Sequence, residues 1–167
     1  MKKSILLLSL SIILMVFSST KSSAQANYKT GIGIRGGGYE NGLTIKHFTN
    51  SNTAIEGILG IRPGVIVLTG LYEKHAVAFG EPSVNWFYGI GGHIGSIEGD
   101  RYYRRFAGDR YYYDNNGLLL GADGILGLEW KIPEIPFALS VDLHPRLELA
   151  RGPFFDLEPA ASLRFTF

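Results

Sequence analysis

The chain has 167 residues, with 16 Lys and Arg against 15 Asp and Glu, no Cys, 22 Gly and 13% aromatic residues. That length suits one domain, the balanced charge excludes the basic footprint of a nucleic-acid binder, and the lack of Cys excludes disulfides and Cys-based metal sites. A Gly-rich, aromatic-rich, Cys-free composition points to an all-β protein, where glycine eases strand curvature and close packing.

Met1-Lys2-Lys3 is a basic start, and Ser4 to Ser18 is almost wholly apolar or Ser. Ser22-Ser23-Ala24-Gln25-Ala26 then supplies small residues for cleavage. The pattern predicts a secretory signal peptide over residues 1–24, cut after Ala24 or after Ala26. No Cys follows the apolar run, which excludes a bacterial lipoprotein anchor. Residues 27–167 form the expected mature domain. Without Lys2, Lys3 and Lys21 the 16 basic residues fall to 13 against 15 acidic ones, so the mature net charge is −2. No mature segment has the roughly 20 consecutive apolar residues of a membrane-spanning helix.

Eight strands are predicted, read from a side-chain period of two. The first covers about Tyr28 to Gly36, with Tyr28, Thr30, Ile32 and Ile34 outward and Lys29, Gly31, Gly33 and Arg35 inward. A glycine-rich turn over 36–42 leads to the second, Leu43 to Phe48, where Leu43 and Ile45 alternate with Thr44 and Lys46. After the Asn50-Ser51-Asn52 turn the third strand, Thr53 to Arg62, sends Ile55, Leu59 and Ile61 out and Glu56 in. Pro63-Gly64 breaks the chain before the fourth, Val65 to Glu73, which is so uniformly apolar that its facing stays open. A connector is expected over His75 to Pro82. The fifth strand, Val84 to Ile97, opposes Trp86, Tyr88, Ile90 and Ile94 to Asn85, Gly89, Gly91, His93 and Gly95.

The sixth strand, Leu118 to Lys131, carries Leu120, Ala122, Leu126, Leu128 and Trp130 outward and Asp123, Glu129 and Lys131 inward. After the Pro133-Glu134-Ile135-Pro136 turn the seventh, Phe137 to His144, alternates Phe137, Leu139, Val141 and Leu143 with Ser140, Asp142 and His144. Pro145 to Glu158 is expected to loop back to the last strand. That strand ends Ala161, Leu163, Phe165, Phe167 on one face and Ser162, Arg164, Thr166 on the other. An apolar edge strand invites aggregation in water, whereas a closed membrane barrel has no edge and a greasy outer face. The fold expected is therefore an all-β, eight-stranded, antiparallel, up-and-down transmembrane β-barrel, with the last strand pairing with the first. In such barrels both termini and the short turns face the periplasm. That rule puts the Asn50 turn, the His75 connector and the Pro133 turn inside, and the 98–117 loop outside.

The signal peptide, the eight alternating strands and the closing Leu163-Arg164-Phe165-Thr166-Phe167 resemble the small outer-membrane β-barrels of Gram-negative bacteria, the OmpA/OmpX-like family. Gly89 to Gly95 and Gly127 to Pro133 resemble segments of such barrels in Bacteroidetes-type bacteria. The resemblance implies an outer-membrane location, reached by export through the inner membrane. It also implies that Phe165 and Phe167 form the signal read by the barrel-assembly machinery.

An eight-stranded barrel has room for its own side chains or one small ligand. The expected lumen set is Lys29, Arg35, Lys46, Glu56, His93, Asp123, Glu129, Lys131, Asp142, His144 and Arg164. Buried charges of both signs must pair or cost several kcal/mol each, so a salt-bridge plug is expected. A narrow path for ions or small solutes is the alternative. The segment RYYRRFAGDRYYY over residues 101–113 interleaves arginine with aromatic side chains. Arg binds phosphate bidentately and Tyr suits headgroup depth. Arg101, Tyr102, Tyr103, Arg104, Arg105, Arg110, Tyr111 and Tyr112 are thus candidates to contact lipopolysaccharide or a protein partner.

Enzyme chemistry finds little support. Ser140, Asp142 and His144 share one strand face, but alternate residues lie about 7 Å apart, too far for a nucleophile to bond its base. His47, His75 and His93 lack a Ser–acid pattern, no His-Glu-x-x-His occurs, and no helix follows Gly31-x-Gly33 or Gly36-Gly37-Gly38 to hold a phosphate. A lipid A-modifying enzyme is the least favoured membrane reading. A soluble lipocalin-type barrel would carry polar groups where this chain has Ile90, Leu128 and Leu139. The expectation is a monomeric structural or interaction protein without catalytic residues, cofactor, metal or nucleic-acid partner.

Overall fold

A computed structural model describes residues 28–37, 41–98, 104–106, 109–111, 116–150 and 154–167, with backbone only at 104–106, 109–111 and 154. The signal peptide and Arg101, Tyr102, Tyr103 and Tyr112 lie outside the described residues. Ten strands follow one another: β1 (Thr30–Gly37), β2 (Gly42–Asn50), β3 (Thr53–Arg62), β4 (Val65–Ala78), β5 (Glu81–Ile97), β6 (Arg104–Phe106), β7 (Asp109–Tyr111), β8 (Gly117–Lys131), β9 (Phe137–Glu148) and β10 (Phe154–Thr166). Eight of them close an antiparallel barrel in the order β1-β10-β9-β8-β5-β4-β3-β2. β6 and β7 pair only with each other, Arg105 opposite Arg110, as a hairpin within the β5–β8 connection. Closure is made by β10 on β1, in register from Gly31↔Thr166 to Gly37↔Ala160.

The alternation read along the sequence is the alternation of the wall. Ile32, Ile34, Ile45, Leu68, Ile90, Leu126, Val141, Leu163 and Phe165 are exposed on the outside, Ile90 to 74%. Lys46, Glu56, Glu73 and Arg164 are wholly buried inside. In β4, where facing was open, Val65, Val67, Thr69, Leu71, Glu73 and His75 point inward.

Two connectors are shorter than expected. β4 runs on to Ala78, and the expected connector shrinks to Phe79-Gly80, with φ of 57° and 71°. Two positive φ values in a two-residue link are the type I′ geometry that matches strand twist. Likewise β9 continues through Pro145 to Glu148, and β10 begins at Phe154. Pro145 is tolerated because the β8–β9 register skips from Asp123↔Arg146 to Leu126↔Leu143, leaving Gly124 beside the proline ring without a partner on β9. Pro159 falls just beyond the last described β1–β10 partner, Gly37↔Ala160, and among the described residues it pairs with β9 alone. Arg62-Pro63-Gly64-Val65 behaves as read, with Gly64 at φ 76° after a proline as a type II turn requires.

Tyr28, Phe167 and the turns at 51–52, 79–80 and 132–136 lie at one end of the barrel, called here the terminal end. Gly37, Gly42, the 63–64 turn, Ile97, Gly117, Glu148 and Phe154 lie at the other, the loop end.

Candidate functional site

The lumen is where the charged side chains of seven strands meet. One cluster is built around Arg164 on β10 and Lys46 on β2. Arg164 donates to Glu56 on β3, to Glu129 Oε2 on β8 at 3.2 Å, to Ser140 Oγ on β9 at 2.9 Å and to Thr44 Oγ1 on β2 at 3.3 Å. Lys46 Nζ lies 3.1 Å from Glu56, 2.8 Å from Glu73 and 3.4 Å from Glu129. His75 Nε2, 2.9 Å from Glu73 Oε2, completes the set. Two permanent cations thus serve three carboxylates, and Thr44, Ser140 and Tyr28 supply hydroxyls. Charges this deep hold only if they are paired and hydrogen-bonded.

Aromatic rings close the lumen toward the terminal end. Tyr28 meets Phe48 edge-on at 5.1 Å, Phe48 meets His75 at 4.8 Å, and His75 stacks on Phe87 at 5.2 Å. The Lys46 ammonium sits 4.1 Å from the Phe87 ring centre, a cation–π contact that adds to its pairing.

A second cluster lies nearer the loop end. Arg35 on β1 grips Asp142 on β9 with two bonds of 2.8 and 2.7 Å, the bidentate arrangement that fixes geometry. Asp123 on β8 takes Arg146 Nε at 2.9 Å, His144 Nε2 at 3.1 Å and His93 Nδ1 at 2.8 Å. The other His93 nitrogen is 3.1 Å from Glu148 Oε2, and Glu148 Oε1 accepts the backbone N–H groups of Leu120 and Ala150. Room for the imidazole comes from Gly121 opposite, where a Cβ would lie 2.5 Å from His93 Cε1. Apolar groups fill the facing wall: Ile58, Leu71, Phe87 and Ile125, and toward the loop end Val65, Val67, Ile97 and Leu119.

Of the expected lumen residues, Arg35, Lys46, Glu56, His93, Asp123, Glu129, Asp142, His144 and Arg164 are buried inside the barrel. Two are not. Lys29 precedes β1 and is exposed, because the strand phase begins at Thr30. Its neighbour Tyr28, expected outward, instead turns in and donates to Glu129 Oε1 at 2.8 Å. Lys131 ends β8 and caps the following turn, donating to the carbonyls of Ile132 and Ile135 at 3.1 and 2.7 Å. Sequence reading missed Glu73, in a strand apolar on both faces, and His75, which was expected in the following connector. It also missed Arg146 and Glu148, which continue the Ser140, Asp142, His144 phase beyond a proline taken as a break. Ser140, Asp142 and His144 share the lumen, but Ser140 is bonded to Arg164 and Asp142 to Arg35. Of the candidate loop residues, Arg104, Arg105, Arg110 and Tyr111 belong to β6 and β7.

The fold and its interior define a class: a closed eight-stranded antiparallel barrel of inverted polarity, apolar outside and ionic within. No protein-family model matches the chain. No curated protein matches it either.

Proposed function

We propose that the protein is an integral outer-membrane β-barrel whose lumen is plugged by its own salt bridges and whose role is structural or interactive rather than catalytic. The inverted polarity carries this reading. A soluble barrel would not leave Ile34, Ile66, Leu68, Ile90, Leu126, Val141 and Leu163 in water while burying Arg164, Lys46 and three glutamates. Aromatic side chains gathered toward the terminal end support it too. Trp86 stacks on Tyr88 at 5.2 Å, and Phe137 meets Phe165 edge-on at 5.6 Å, as in an interfacial girdle. Export by a cleaved signal peptide and insertion by barrel-assembly machinery reading Phe165 and Phe167 belong to the same proposal. So does a monomeric state.

The task of the barrel then falls to the Arg/Tyr-rich loop over 101–113, in contact with lipopolysaccharide phosphates or a protein partner. Serine at Arg101, Arg104, Arg105 and Arg110 should weaken that contact, and unchanged lipopolysaccharide binding would remove the loop from the proposal. The membrane reading is tested by fractionation with heat-modifiable gel mobility, and by Ile90→Arg. On a lipid-facing wall that change costs about 2–4 kcal/mol near the bilayer midplane. Fractionation as a soluble protein, with Ile90→Arg neutral, would refute it.

The second reading, a narrow ion path, draws on ionic groups reaching from Glu129 to Glu148. It predicts ohmic conductance in a planar bilayer.

A further inference from the structure

The outer wall contains an apolar groove with a polar mouth that carries one ammonium, that of Lys74. On β3, β4, β5 and β8 the outward positions Gly57, Gly70, Gly92 and Ala122 are register partners in turn. Four neighbouring strands therefore present almost bare backbone side by side. Ile55 rises on the terminal side of this row, and Leu68 and Ile94 on the loop side, all about half exposed. The groove between them holds about 730 Å³, within the roughly 300–1,000 Å³ typical of small-molecule sites.

Its lower end opens at His47 on β2, which is exposed, with Nδ1 2.9 Å from Thr30 Oγ1. Lys74 on β4 stands on the other side of β3, since His47 pairs with Ile55 and Thr53 pairs with Lys74. Its ammonium donates to Thr53 Oγ1 at 2.6 Å and lies 5.4 Å from the Tyr72 ring centre. Neither His47 nor Lys74 forms a salt bridge among the described residues. Elsewhere toward this end, β5, β8, β9 and β10 present Trp86, Trp130, Phe137 and Phe165 instead.

We propose that this groove binds an anionic phospholipid, its phosphate held at His47 and Lys74 and one acyl chain laid along Gly57, Gly70 and Gly92. The inference rests on the membrane reading above, which puts the terminal end in the phospholipid leaflet. Charge complementarity selects the occupant. A second copy of the chain would bring an apolar wall to the groove, since its exposed carboxylates at the terminal end, Glu81 and Glu134, sit at the start of β5 and in a turn rather than on that wall. A phospholipid supplies both the anion and the chain.

Native mass spectrometry of the full-length protein in mild detergent tests this, with dioleoyl phosphatidylglycerol and dioleoyl phosphatidylcholine supplied in equal amounts. One phosphatidylglycerol adduct should dominate by about fivefold, as one Lys ammonium near an anionic lipid surface implies. Gly70→Leu should remove the adduct by filling the groove. A Cβ there meets nothing within 4 Å, so the barrel accommodates it. The double variant His47→Ala/Lys74→Ala should retain a lipid but lose the preference for phosphatidylglycerol. Equal binding of both lipids by the wild type, a Gly70→Leu adduct as strong as the wild type's, or a dimer that Gly70→Leu dissolves would overturn the proposal. A wild-type protein without heat-modifiable mobility would overturn the membrane reading itself, which distinguishes the two failures.

Discussion

Arg164→Met removes the cation that joins the closing strand to the opposite wall. In the wild type its guanidinium serves Glu56, Glu129, Ser140 and Thr44, and the side chain is wholly buried. Methionine fills similar volume, so the loss is ionic rather than steric. Lys46 would then stand alone against Glu56, Glu73 and Glu129, at 3.1, 2.8 and 3.4 Å. Breaking one partner of a buried pair costs about 3–5 kcal/mol, because the remaining charge stays buried and uncompensated. Adding Glu56→Gln removes one orphaned carboxylate and should return about 1–3 kcal/mol, the coupling expected of groups in contact. Urea titration of the vesicle-folded protein, read by Trp86 and Trp130 fluorescence and by the heat-modifiable band, measures both. An Arg164→Met barrel within about 1 kcal/mol of the wild type, or a double variant no more stable than the single, would refute the reasoning.

Phe79 holds φ 57° at a turn tip while 86% exposed, and an aromatic in the left-handed region is strained. Phe79→Asn supplies the residue that a type I′ turn prefers and should raise stability by about 1 kcal/mol, read as a higher urea midpoint. Gly121→Leu should sharply lower the folded fraction on gels, since its Cβ would collide with the Leu147 carbonyl and lie 2.5 Å from His93 Cε1. Gly70→Leu is the matched control and should fold normally. In a planar bilayer the wild-type barrel should show no sustained conductance; a stable ohmic step would favour the pore reading over the plug.

Much of the wall was legible because strand facing is a local property. Ala161 to Phe167 alternates strictly, so the outward Leu163 and Phe165 and the inward Arg164 follow from period alone. Legibility failed where that signal was weak or punctuated. β4 is apolar on both faces, which hid the phase of Glu73, and it runs past its expected end to take in His75. Pro145 was read as the start of a loop, yet it falls where the β8–β9 ladder is already interrupted. Lys29 and Tyr28 exchanged faces because the strand begins two residues later than the pattern suggested.

Partner choice inside the barrel was beyond the sequence. Glu129, Asp123 and Asp142 were all plausible mates for Arg164, and Arg164 takes Glu129 together with Glu56, which lies 108 positions away and on a strand that does not adjoin β10. Asp123 and Asp142 go instead to Arg146, His93, His144 and Arg35. Contacts across a bore depend on strand tilt and register stagger, which set the height at which each side chain enters the lumen. The same holds for the outer groove, because Gly57, Gly70 and Gly92 become neighbours only through the register of three strands. Outside β4 and the start of β1, the chain by itself determined which side chains face in and which face out, since alternation is encoded residue by residue. Closure of the barrel decided which of them meet.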